Sequence, residues 1–167
     1  MMFARLGIVV LTSAACWIAL GAGPAAAAPD YCGLLGPADF AAAGVPGAGA
    51  PKVNPAEAGA YCVYAGKSAG TGGIEFDVFV TEGGVDADQV FINARSFPNT
   101  SGISVKDLPG ADDVALDARV GTPAYATIAV RTRKLVFDIG IPAGPKAQAA
   151  LITLAKLVLK RGDALSR

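Results

Sequence analysis

Residues 60–81 constrain this chain more than any other stretch. They read Ala-Tyr-Cys-Val-Tyr-Ala, a glycine-rich break, then Ile-Glu-Phe-Asp-Val-Phe-Val-Thr. In the second half Ile74, Phe76, Val78 and Val80 fall on one side, and Glu75, Asp77 and Thr81 on the other. Alternation at period two marks a strand with one buried face. Phe79 interrupts the polar side, so that face is expected to be partly covered as well. The break at residues 66–73 is too long and too glycine-rich for a tight two-residue hairpin. Two strands are therefore expected here, joined by an open turn, with Cys62 on the first of them.

Residues 1–27 read as a secretory signal peptide rather than as part of the fold. Arg5 supplies the positive start, residues 6–21 are almost wholly apolar, and Ala25 and Ala27 fit a small-residue cleavage site. The apolar run is short for a membrane span and its far flank is alanine-rich, not basic. Cys16 lies inside this run without the flanking pattern of a lipid-attachment site, so lipidation there is not expected. Residues 28–167 then form one exported domain, of ordinary single-domain size.

Outside the leader only Cys32 and Cys62 remain. Two cysteines in an exported chain most simply form one disulfide, the alternative being two buried thiols. Closing a loop of about thirty residues contributes roughly 3–4 kcal/mol in the chain-entropy account. The 14 basic and 14 acidic residues balance. Loss of Arg5 with the leader leaves about one net negative charge, which speaks against nucleic acid as a partner. No transmembrane helix is expected after cleavage.

A short helix opens the domain at Cys-Gly-Leu-Leu-Gly-Pro-Ala-Asp-Phe, with Pro37 in its first turn and Gly44 as its C-terminal cap. Residues 45–58, rich in proline and glycine, read as an irregular connection. Helical spacing of Ala87, Val90, Phe91, Ala94 and Phe97 predicts a helix over residues 86–97. Strands are predicted over 114–120, 125–132 and 134–141, the last two around the basic turn Arg131-Thr132-Arg133-Lys134. The spacing then predicts a long amphipathic helix over 146–161. Its apolar stripe is Ala147, Ala150, Leu151, Leu154 and Val158, and its wet stripe is Ala149, Thr153, Lys156 and Lys160. The expected order is α-β-β-α-β-β-β-α, an α+β fold with an antiparallel β-sheet flanked by helices.

The chain contains no histidine. That removes Ser-His-Asp and Cys-His catalysts and histidine metal sites. Asp107, Asp112, Asp113 and Asp117 lack the alternating spacing of a calcium loop and read as a solvated turn. Glu75 and Asp77, two apart on a strand's outer face, read as solvated rather than as a carboxylate pair for glycoside chemistry. Neither catalytic residues nor a cofactor nor a metal is expected. The residues that could form an interaction surface are Tyr61, Tyr64 and Phe79, with the basic group Arg131, Arg133 and Lys134. Aromatic and arginine side chains are favoured at binding hot spots.

The early Cys-Gly-Leu-Leu-Gly-Pro-Ala-Asp-Phe segment, the second cysteine before Val-Tyr, the Pro-Gly-Ala-Asp-Asp-Val-Ala turn and the leucine-rich terminal helix together resemble a family. It is that of small exported or lipid-anchored actinobacterial cell-envelope proteins of uncharacterised function, with a PsbP-like α/β/α sandwich. The resemblance implies that sandwich, a Cys32–Cys62 disulfide and residence in the envelope; it carries no catalytic residues. The function expected is a non-catalytic binding or interaction module for an envelope component, whether protein, lipid or polymer. The alternatives are a carrier of a small apolar or lipid ligand and, last, an enzyme.

Overall fold

A computed structural model describes residues 29–56, 58–65, 73–81, 89, 105–119, 125–162 and 164. The signal peptide expected over residues 1–27, the helix expected over 86–97 apart from Gln89, and the open turn expected over 66–73 apart from residue 73 lie outside the described residues.

Six antiparallel strands form one sheet. They are β1 (Lys52–Ala56), β2 (Gly59–Ala65), β3 (Ile74–Val80), β4 (Asp113–Arg119), β5 (Tyr125–Arg131) and β6 (Leu135–Pro142). Their spatial order is β1-β2-β3-β6-β5-β4. The chain thus makes two three-stranded meanders, joined where β3 pairs with β6. Helix α1 (Pro37–Ala42) precedes the sheet, after a 3-10 turn at Cys32–Leu34, and α2 (Ala147–Gly162) follows it.

The alternation expected from the sequence sets the sheet's two faces. Ile74, Phe76 and Val78 of β3 and Leu135, Phe137, Ile139 and Ile141 of β6 are all buried in one core. Ala150, Leu151, Leu154 and Val158 of α2 join that core, as does Phe40 of α1. Both described helices therefore sit on the same face of the sheet. Burial of each large apolar side chain here contributes about 1.5–3 kcal/mol. Ala155, outside the stripe read from the sequence, is fully buried too; its small side chain lets the helix approach closely.

Residues 52–56, read from sequence as part of an irregular connection, form strand β1. Among the described residues it is an edge strand paired only with β2, and Val53 is 51% exposed. Pro55 lacks an N–H and is tolerated on an edge for that reason. An exposed edge strand buries too little to leave a hydrophobic signature, which is why the composition read as loop.

Glycine matters at two places. Gly44 ends α1 with φ +82°, a left-handed conformation that side chains disfavour. A Cβ on Gly59 would run into the Val78 carbonyl, so only glycine lets β2 meet β3 at that point.

Cys32 and Cys62 are joined by a disulfide, with Cα atoms 5.7 Å apart. It ties the segment before α1 to the second strand, and both residues are buried. Beside this segment, Arg161 in the last turn of α2 grips Asp39 of α1 through two hydrogen bonds of 2.6 and 2.9 Å. The same guanidinium donates to the Leu34 carbonyl at 2.7 Å. Asp39 also accepts from the Gly36 amide at 2.8 Å, closing the first turn of α1. The Arg161 hydrogen bond, chief among the causes, holds the Asp39 carboxyl below the usual carboxylate range.

Candidate functional site

The candidate surface residues divide among three places. Tyr64 is in the core. Its ring lies 4.7 Å from that of Phe40, and its hydroxyl reaches the Leu35 carbonyl at 2.6 Å and the Cys32 carbonyl at 2.9 Å. Burial first, then the charges of Asp30 and Asp39, push the phenol well above its ordinary range. Tyr64 is thus not part of an interaction surface; it locks the disulfide segment onto the sheet. Buried tyrosines keep a partner for the hydroxyl, and this one has two carbonyls within reach.

Tyr61 and Phe79 point to the opposite face of the sheet from the helices. Their rings meet edge to face, 5.2 Å apart at 74°. Phe79 is fully buried, beside Ala115, Ala129 and Val136 in a second, smaller core, while Tyr61 is 41% exposed.

Arg133 and Lys134 form the tip of the turn between β5 and β6, and both are exposed. The turn is held by Thr132, whose hydroxyl oxygen accepts from the amides of Lys134 (3.1 Å) and Leu135 (2.8 Å). From β3's end, the Thr81 hydroxyl donates to the Arg133 carbonyl at 2.6 Å, and the Thr81 amide donates to that of Lys134 at 2.9 Å. The basic tip is therefore fixed by its own backbone. Arg131, at the end of β5, stands apart from it.

Against this turn lies the C-terminal half of α2, and between them is a cleft of ≈ 530 Å³. Arg133, Lys134, Lys156 and Lys160 line it, with Asp112 as the one acidic residue among the described ones. Among the described residues no carboxylate forms an ion pair with Arg133, Lys156 or Lys160. Lys156 and Lys160 are one turn apart on α2, and like charges at that spacing cost a helix about 0.2–0.5 kcal/mol. Lys160 is partly repaid by the negative end of the helix dipole. Lys156 and Lys160 read from sequence simply as the wet stripe of a helix. Nothing in the sequence places that stripe beside a turn more than twenty residues earlier.

The acids on the second face give a clear correction. Glu75 and Asp77, read as solvated, are both half-buried. Asp77 of β3 is directly opposite Asp138 of β6, and Glu75 is on the same face two residues before Asp77. Burial, followed by the charge of Glu75, pushes the Asp77 carboxyl up to about 7, against a smaller opposing effect of a hydrogen bond from the Cys62 backbone. Asp138 keeps some accessible surface, yet its carboxyl is raised well above the carboxylate range, by burial and then by Asp77 and Glu75. The sequence showed the acids on the polar side of two strands. It did not show that those strands would be neighbours in this register.

Comparison with protein-family models, with curated proteins and with solved structures finds no significant match for this chain. No described helix is long and apolar enough to cross a membrane.

Proposed function

We propose that this chain is an exported cell-envelope domain that holds an anionic group in the basic cleft without transforming it. The observation that carries this reading is the convergence of Lys156 and Lys160 from α2 with Arg133 and Lys134 from the β5–β6 turn around one hollow. Arg133, Lys156 and Lys160 have no carboxylate partner among the described residues, so their charges repel until an anion enters. The i, i+4 lysine pair costs the helix stability unless something compensates it. The cleft supplies charge rather than a nucleophile matched to a base, which suits binding rather than turnover. Export rests on the leader pattern of Arg5, the apolar run, Ala25 and Ala27, the envelope location and a PsbP-like sandwich rest on the sequence resemblance, and the disulfide suits an oxidising compartment.

A second reading, a carrier of a small apolar ligand, has one feature in its favour. A hollow of ≈ 300 Å³ lies between the end of β6 and the start of α2, lined by Val45, Pro46, Ile141 and Ala147 among others. It is at the small end for ligand pockets and lacks convergent polar groups.

The test uses vesicles of phosphatidylglycerol, vesicles of phosphatidylcholine, and soluble polyphosphate. Binding to the anionic probes but not to phosphatidylcholine is expected, weakening steeply with salt. Vesicles preferred over polyphosphate assign a lipid headgroup, and the reverse a free polymer. A Lys156→Glu, Lys160→Glu variant should lose about tenfold or more in affinity, since ~1.4 kcal/mol is tenfold. Unchanged binding by that variant excludes the cleft.

A further inference from the structure

The basic cleft presents three cations that no described carboxylate neutralises. Arg133 comes from the β5–β6 turn, and Lys156 and Lys160 from α2. All three line the hollow, and none has an ion-pair partner among the described residues. Lys134 lines it from the same turn as Arg133. All four residues are exposed, so an anion reaches them from solvent.

Both walls are fixed without help from these charges. The turn hangs on the end of β3, where the Thr81 hydroxyl donates to the Arg133 carbonyl at 2.6 Å and the Thr81 amide to the Lys134 carbonyl at 2.9 Å. The end of α2 is pinned by Arg161, next to Lys160 in the chain, which binds the Asp39 carboxylate and the Leu34 carbonyl. Arg161 thus spends its charge on α1, while Lys156 and Lys160 face the cleft. A frame set before the ligand arrives loses less freedom on binding.

The number and placement of the cations discriminate among anions. A phosphate monoester carries about −1.5 to −2 charges at pH 7 and three terminal oxygens. A phosphodiester keeps a single charge and two free oxygens, and a carboxylate likewise. Three unpaired cations on two walls match the monoester, with one cation for each terminal oxygen. The end of α2 also adds roughly half a negative charge nearby. A singly charged group gains little against it, whereas a doubly charged one draws on several cations at once.

We propose that the cleft takes the dianion of a phosphate monoester, the phosphate at the end of a molecule rather than within a chain. This rests on the anion-binding reading above and narrows it. Arg133 grips the phosphate through its planar fork, which suits two oxygens together, and the lysines act as point charges from the helix side. Pro109 and Leu159, which also line the hollow, give the carbon beyond the ester oxygen an apolar wall.

The ligand's own titration makes this testable. The second ionisation of a phosphate monoester lies near 6. Among the described residues the ionisable groups lining the cleft are Asp112, Arg133, Lys134, Lys156 and Lys160, and ordinary aspartate, lysine and arginine side chains do not titrate between about 5 and 8. Binding of a monoester should therefore strengthen as pH rises through that window, and binding of a diester should not.

The experiment measures binding of the whole protein to vesicles containing phosphatidic acid, a monoester. The reference is vesicles with phosphatidylglycerol, a diester, at twice the mole fraction so that surface charge is matched. Phosphatidic acid should bind about tenfold tighter at pH 7.5, the scale of one added charge-assisted contact, with the ratio falling towards one near pH 5. Arg133→Lys, which keeps the charge and loses the fork, should reduce that ratio severalfold and leave phosphatidylglycerol binding unchanged. Soluble glycerol 3-phosphate is the competitor: competition at comparable concentration assigns a free phosphate monoester, and its failure assigns a lipid headgroup. Equal affinity for the two vesicles, or a ratio that does not change with pH, overturns the proposal and leaves the anion-binding reading standing. Phosphatidic acid binding untouched by Lys156→Glu with Lys160→Glu places the monoester elsewhere and also overturns it. Failure to bind any anionic vesicle or polyphosphate removes the reading beneath it.

Discussion

Asp77 and Asp138 stand directly opposite each other on neighbouring antiparallel strands, and neither has a cationic partner among the described residues. Cross-strand like charges are destabilising even in water. Here the pair is also desolvated, so the folded protein holds on to protons that the unfolded chain would release.

This sets the sign of the pH dependence. An unfolded aspartate titrates near 3.9, whereas Asp77 in the fold is raised to about 7 and Asp138 is raised as well. The stabilisation is complete below the unfolded value and is lost as pH rises through the folded one. The melting temperature should therefore fall as pH is raised from about 4 to 8, a loss on the order of a few kcal/mol. Asp77→Asn with Asp138→Asn should raise the melting temperature at the alkaline end and flatten the profile there. A wild-type profile that rises across this range would show the pair to be solvated.

Tyr64→Phe removes the donor that two carbonyls share and keeps the packing against Phe40. The expected cost is about 1–3 kcal/mol, that of leaving a buried acceptor unsatisfied. Urea denaturation measures it, with an unchanged slope expected.

Cys62→Ser should cost roughly 2–5 kcal/mol, as loss of a native disulfide does in small exported domains. Reduction of the wild type should lower its melting temperature by a similar amount. Both thiols should resist alkylation until reductant is added, which mass spectrometry reads directly.

Leu154 is fully buried and Lys156 is exposed, two residues apart on α2. Leu154→Asp should destabilise by more than about 4 kcal/mol, because an unpaired charge enters the core. Lys156→Asp should change stability by less than about 0.5 kcal/mol, yet reduce binding of anionic vesicles or polyphosphate. Circular dichroism against temperature separates the two, and equal melting points would mean the buried face is misplaced.

What the sequence by itself determined is what local geometry controls. Ile74 to Val80 and Leu135 to Ile141 alternate because successive strand side chains point to opposite faces. The buried stripe of α2 repeats at helical spacing because the turn has 3.6 residues. Gly44 marks the end of α1 because few other residues accept its backbone conformation. Cys32 and Cys62 are the two cysteines outside residues 1–27, which left each the other's simplest partner. Edge strand β1 escaped notice because exposure erases periodicity. What only the tertiary structure decided is which of these elements became neighbours. The order β1-β2-β3-β6-β5-β4 sets Asp77 against Asp138, and the packing of α2 sets Lys156 and Lys160 beside the Arg133–Lys134 turn. A carboxyl on a strand's polar side looks the same in sequence whether water or another carboxyl faces it. Its proton affinity depends on burial and on charges brought from elsewhere in the chain, and no local pattern encodes either.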